Sequence, residues 1–107
     1  VALWHGGSDR LIAPANLELQ LEQWSGVLGV DTGSGEADKI DGQARRRFAD
    51  ADDNPAIEVV LVDGMDHAIA VDPDGDPSCG TEAPYIVDAN ICAAAWIGRW
   101  FGVVPNP

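Results

Sequence analysis

The sequence predicts an α/β fold with its elements in the order strand, helix, strand, strand, helix. Three observations carry this. Residues 1–5 form a short apolar run that stops at Gly6-Gly7. Leu17, Leu21, Trp24 and Leu28 recur at i, i+4, i+7 and i+11, one face of a helix. Ile57-Glu58-Val59-Val60-Leu61-Val62 is β-branched and nearly all apolar, the strongest strand signal in the chain.

Residues 1–5 read as a buried strand, followed by turn chemistry in Gly6-Gly7-Ser8-Asp9. Pro14 and Asn16 signal a helix start, and Gly26 and Gly29 mark its fraying end. Glu18 and Glu22 give that helix a wet side. Residues 31–42 read as a polar, Gly-rich loop whose Gly/Lys/Ser order fits no phosphate loop. Residues 44–50 alternate weakly, with Arg45 and Arg47 on one face and Arg46 and Phe48 on the other. An Asp-rich turn ending in Asn54-Pro55 leads into the strand at 57–62, so these two strands should be neighbours with a tight return. Residues 63–88 read as one long loop, a length that usually signals function. Asp88 is the expected N-cap of a last helix from Ala89 to about Phe101, closed by Gly102. Residues 1–104 are expected to form the domain and residues 105–107 a tail or the start of a linker. Trp4, Trp24, Trp96 and Trp100 are expected in the core, with an aromatic carbohydrate-binding platform as the alternative for one of them.

Composition narrows the partners. A net charge of −12, with Lys39 the only lysine, argues against nucleic acid and against an anionic membrane surface. No stretch approaches the roughly 20 apolar residues that span a bilayer. A chain of 107 residues holds one small domain, and its opening directly on a buried strand suggests part of a larger one. Cys79 and Cys92 flank a Gly/Pro loop and a helix start. Their pairing is compatible with that setting and would imply an oxidising compartment. Two free thiols, or a bond from Cys92 to a cysteine elsewhere, stay open.

Two motifs carry chemistry. Trp4-His5-Gly6-Gly7-Ser8-Asp9 and Val62-Asp63-Gly64-Met65-Asp66-His67 each end an apolar run. Asp9 and His67 therefore each sit in the loop after a strand. Acid followed by histidine in chain order, both at strand ends, is how an α/β-hydrolase supplies the last two members of its triad. His67 suits a general base. Asp9 suits the acid that fixes its tautomer and stabilises its charged form. Asp63 and Asp66 read as solvated turn residues. His5 is expected to pack under the Asp9 turn and bond backbone. Asp72, Asp74 and Asp76 fail the EF-hand pattern and read as a solvated acidic loop. No G-x-S-x-G is present. The chain thus reads as the C-terminal portion of an α/β-hydrolase sheet, an incomplete fold whose nucleophile lies upstream.

The residues Trp4-His5-Gly6, Asp9, Ile12, Pro14 and Asn16, then Gln23-Trp24, then Gly64-Met65, His67-Ala68, Cys79-Gly80, Pro84-Tyr85-Ile86 and Asp88, Asn90-Ile91 resemble the C-terminal part of the poly(3-hydroxybutyrate) depolymerase family of esterases. That family includes feruloyl and acetylxylan-type esterases. The resemblance implies an α/β-hydrolase fold, a Ser-His-Asp triad with Asp9 as acid and His67 as base, and an acyl-enzyme route without metal or organic cofactor. It implies secretion, and a polyester or plant cell-wall polysaccharide ester as substrate. The chain departs from the family in carrying Asp66 where glycine is usual, which would favour the charged form of His67. Its expected partner is the missing N-terminal part of the same domain, and alone it is expected to be inactive. Two other readings stand beside this one. The chain could be a non-catalytic carbohydrate- or polymer-binding remnant of the fold. It could also be a self-contained hydrolase using Ser8, Ser25, Ser34 or Ser78, none of which sits in a strand-to-helix elbow.

Overall fold

The computed structural model describes residues 1–107. Six strands and two helices follow in the order β1 (Ala2–Gly6), α1 (Ala15–Leu28), β2 (Glu36–Ile40), β3 (Gln43–Ala49), β4 (Pro55–Val62), β5 (Ile69–Val71), β6 (Ile86–Asp88) and α2 (Ala93–Trp100). A single 3₁₀ turn, Thr32–Ser34, precedes β2. The main sheet is four-stranded and mixed, in the order β1-β4-β3-β2. β1 runs parallel to β4, while β4, β3 and β2 are antiparallel neighbours. A small parallel pair, β5-β6, lies apart. The α/β class is therefore as the sequence predicts.

Two apolar layers enclose the sheet. Leu17 and Leu21 of α1 pack on Leu3, Phe48, Ile57 and Val59. On the other face Val60 and Val62 meet Met65, Ala70, Ile91 and Ala93, with Trp96 and Ile97 of α2 against them. Strand alternation puts Phe48 and Arg46 opposite Ile57 and Val59, and leaves Arg45 and Arg47 opposite Val60 and Glu58. The expected split of that arginine run between two faces is borne out. Glu58 is buried, with Arg45 3.6 Å away. Burial pushes its carboxyl up, against the pull of Arg45 and Arg47.

Four expectations need correction. The loop at 31–42 contains β2. Asp41 and Gly42 both take positive φ, 46° and 81°, and turn the chain back between Ile40 and Gln43. This is a two-residue hairpin turn with the Asp-Gly pair that such turns favour. β2 is almost wholly exposed, and charge rather than burial holds it: Asp38 accepts from Arg45 Nε at 2.8 Å and also pairs with Arg47. The loop at 63–88 contains β5 and β6, three residues each, in register at Ile69↔Ile86. The last helix begins at Ala93, capped by Cys92, whose Sγ accepts from Ala95 N. Asp88 instead ends β6 and accepts from Asn90 N at 3.1 Å. Asn90 itself has φ 55°, so no helix can run through it.

The tryptophans are the fourth correction. Trp4 and Trp96 do pack against the second apolar layer, but Trp24 is exposed and Trp100 is only half-buried outside both layers. Trp96 donates to Asp41 Oδ2 at 2.9 Å and lies under the guanidinium groups of Arg99 and Arg45. Cys79 and Cys92 form a disulfide. No helix is long and apolar enough to cross a membrane.

Candidate active site

Because β1 and β4 are parallel neighbours, their C-terminal ends lie side by side, paired last at Gly6↔Val62. Loops at that edge of an open sheet are where α/β folds gather their functional groups. Here the two loops are also joined to each other. Gly7 N donates to Val62 O at 2.8 Å and Ser8 N to Met65 O at 2.9 Å. This approach depends on Gly6: a β-carbon there would overlap the carbonyl oxygens of Met65 and Asp66.

Asp9 sits at the centre of this junction, its side chain 3% exposed. Oδ1 accepts from Leu11 N at 2.9 Å and Ile12 N at 2.8 Å. Oδ2 lies 2.9 Å from His67 Nδ1 and 3.3 Å from His5 Nε2. Burial, the strongest single influence, pushes the carboxyl up. The Ile12 N–H, the His67 bond, the Leu11 N–H and the His67 charge together outweigh it, so the net direction is down. Asp9 is therefore a carboxylate, which only accepts, and Nδ1 of His67 must donate to it. His5 donates through Nε2 to Ile12 O at 2.9 Å. It packs under the Asp9 turn as its sequence setting predicts, and adds a second imidazole beside the acid.

His67 is 43% exposed at its side chain. With Nδ1 bound to Asp9, Nε2 of the neutral ring carries the free lone pair and points a base outward. A cleft of about 420 Å³ opens there, with His5, Ile12, His67, Ile69 and Tyr85 among its lining. A larger cleft of about 470 Å³ lies elsewhere, around Arg45, Arg47, Glu58 and Trp96. Its one buried carboxyl, Glu58, faces Arg45 and has no imidazole beside it, whereas the smaller cleft holds the Asp9–His67 pair and is the better candidate. Asp72, Asp74 and Asp76 do not converge with other side chains into a metal-holding group.

The sequence resemblance now has an independent counterpart. The poly(3-hydroxyalkanoate) depolymerase C of Paucimonas lemoignei is 35% identical to this chain over 105 residues, covering 97% of the chain and 25% of that protein. Nearly the whole of this chain is thus similar to one part of that depolymerase. It spans about a quarter of that relative's length, and no family model matches it.

One feature of the site was not legible in the sequence. Asp66 is not a solvated turn residue. Its Oδ1 accepts from Arg10 N at 2.8 Å and from His67 N at 2.9 Å, and its Oδ2 accepts from Arg10 Nε at 2.7 Å. It thus clamps the residue after Asp9 to the residue that carries the imidazole. The Arg10 backbone N–H, the Arg10 side chain and the His67 N–H hold its carboxyl at about 2. The signal in the sequence was Arg10 following Asp9, a cation available to the one acidic residue adjoining His67.

A depressed carboxyl contributes stability that is present above its unfolded value, 3.8, and lost as pH falls through about 2. The pair is well exposed, Arg10 at 89% and Asp66 at 40%, so the contribution is small. Asp66→Asn should lower the urea midpoint slightly near neutrality and converge with the parent as pH falls through about 2, so that its own fall across that acid window is shallower. Parallel curves for parent and variant would show that the clamp adds no stability.

Proposed function

We propose that this chain supplies the acid and base of a serine-dependent carboxylic-ester hydrolase that acts on polyester. In this reading it is the C-terminal part of an α/β-hydrolase domain, residues 1–104, and the nucleophilic serine belongs to a part of the protein outside these 107 residues. The observation that carries it is the 2.9 Å contact from His67 Nδ1 to a buried, multiply bonded Asp9, with Nε2 open to a cleft. Ester chemistry and polyester come from the name of the relative.

The steps follow from that geometry. Nε2 of His67 takes the proton of the serine hydroxyl as its oxygen attacks the ester carbonyl. The imidazolium so formed donates through Nδ1 to Asp9, whose charge stabilises it. Nε2 then gives its proton to the departing alcohol, leaving an acyl-serine. Water repeats the sequence in reverse and releases the acid.

Three features support a serine from outside. No serine lines the cleft. Ser25, Ser34 and Ser78 donate their hydroxyls to nearby backbone carbonyls. The outer edge of β1 has no strand partner, and Leu19, Trp24, Val27 and Leu28 leave apolar surface on α1. That edge and that surface suit further sheet and its packing. The disulfide suits a secreted protein.

The test is nitrogen-15 NMR of the His67 ring at mildly alkaline pH, where free imidazole is neutral. The parent chain should show the Nδ1–H tautomer, and Asp9→Ala should lose it. A parent ring protonated on Nε2 would sink the acid–base assignment. Hydrolysis of a short-chain p-nitrophenyl ester adds the second half: no turnover above His67→Ala is expected. Turnover that His67→Ala abolishes would put a nucleophile inside this chain.

A further inference from the structure

Tyr85 stands where the backbone calls for glycine. Ala83 and Ile86 exchange both backbone hydrogen bonds, Ala83 N to Ile86 O at 3.1 Å and Ile86 N to Ala83 O at 2.9 Å. Pro84 and Tyr85 are thus the central pair of a tight turn, and Tyr85 has φ 62°. Proline first and positive φ second is the type II pattern, whose second central place favours glycine or asparagine. A side chain with a β-carbon there shifts the folding equilibrium against the native state by about five- to thirtyfold. Burial does not compensate, because Tyr85 is 66% exposed.

What the turn achieves is placement. Tyr85 O accepts from Ile69 N at 2.9 Å, and Ile69 pairs with Ile86 at the start of β5-β6. The small sheet therefore sets Tyr85 and Ile69 together beside His67. The tyrosine ring stands edge-on to the imidazole, centroids 5.9 Å apart at 80°. Ile69 is itself 62% exposed, at the end of the small sheet nearest His67. Both residues line the cleft onto which Nε2 opens. Backbone strain retained at an exposed aromatic next to a base is a mark of function.

The geometry points to Tyr85 and Ile69 as the substrate-contacting wall of this site, gripping the uncharged aliphatic chain next to the scissile ester. The assignment rests on the ester-hydrolase reading above and names the residues that would recognise its substrate. An apolar, uncharged segment is the ligand because the Ile69 side chain and the Tyr85 ring offer uncharged, largely apolar surface and the chain around them is strongly acidic, net −12. The aromatic face and the branched aliphatic side chain gain contact area with methylene and methyl groups at little ordering cost.

The test compares the parent chain with Tyr85→Phe and Tyr85→Gly, using the methyl ester of a 3-hydroxybutyrate trimer as probe. In the parent and in Tyr85→Phe, the probe should shift the Ile69 methyl and His67 ring signals saturably. In Tyr85→Gly its Kd should rise about tenfold, while the urea midpoint stays at or above that of the parent. A lower midpoint in Tyr85→Gly would make Tyr85 a structural residue and overturn the proposal. So would an unchanged Kd, or an Ile69 signal that the probe does not move in the parent. An intact Nδ1–H signature on His67 with an unmoved Ile69 defeats only the wall. Loss of that signature in the parent defeats the acid–base reading itself.

Discussion

Gly6→Ala is expected to cost about 3 kcal/mol of folding stability, at the upper end of what over-packing usually costs, and to remove the contact between Asp9 and His67. Gly6 ends β1, and its α-carbon faces the Met65–Asp66 backbone directly. The obstructing atoms are carbonyl oxygens, not the ends of flexible side chains, so no rotamer change makes room. Relief requires the two loops to part. That opens the bonds from Gly7 N to Val62 O and from Ser8 N to Met65 O. Asp9 directly follows Ser8 and moves with them. Chemical denaturation reads the first effect and the His67 Nδ1–H signal reads the second. An alanine variant that keeps both would show that the loops are not held as close as described.

Loss of the disulfide should have a comparable effect on stability but spare the Asp9–His67 contact. The Cys79–Cys92 bond closes a segment of 13 residues. A loop of that size loses about 3 kcal/mol of stabilisation when opened, which lowers the thermal midpoint of a domain this small by roughly 10–20 °C. The bond ties the turn after β5 to the residue that caps α2. None of the bonds around Asp9 passes through it. A Cys79→Ala, Cys92→Ala double variant should therefore melt early yet show the parent's His67 tautomer below its midpoint. A variant that melts with the parent would mean the loop is held by packing alone. One that loses the tautomer while still folded would mean that the second apolar layer positions His67.

The parts legible in the sequence are those whose residues respond to a local rule. β1, α1 and β4 announce themselves because burial imposes a period on Leu3, Leu17, Leu21 and the run from Ile57 to Val62. Asp9 and His67 are legible for a related reason: each directly follows such a strand, and strand ends are where side chains become available to a ligand. β2 was hidden because nothing on it except Ile40 is buried, and its cross-strand charge pairs need partners the local sequence does not identify. The Asp41-Gly42 pair was the one local clue. β5 and β6 are three residues long, and each exists only through the other, many residues away. The early start assigned to α2 failed at Asn90, whose left-handed backbone is imposed by the turn from β6 and not by any preference of the surrounding alanines. The arginine clamp on Asp66 was invisible for the same reason as β2: its partner lies 56 residues away.

The joined ends of β1 and β4 have a consequence for alignment. Asp9 and His67 follow adjacent parallel strands whose loops are bonded to each other, so under the proposed function the acid and the base move as one unit. A triad drawn from three separate segments has three relative placements to hold. With two of its members locked together by their own backbone, bringing in a nucleophile becomes a two-body docking problem. Tolerances then accumulate at one joint, between this segment and whatever residue it serves, and an error there displaces His67 and Asp9 together without disturbing the bond between them.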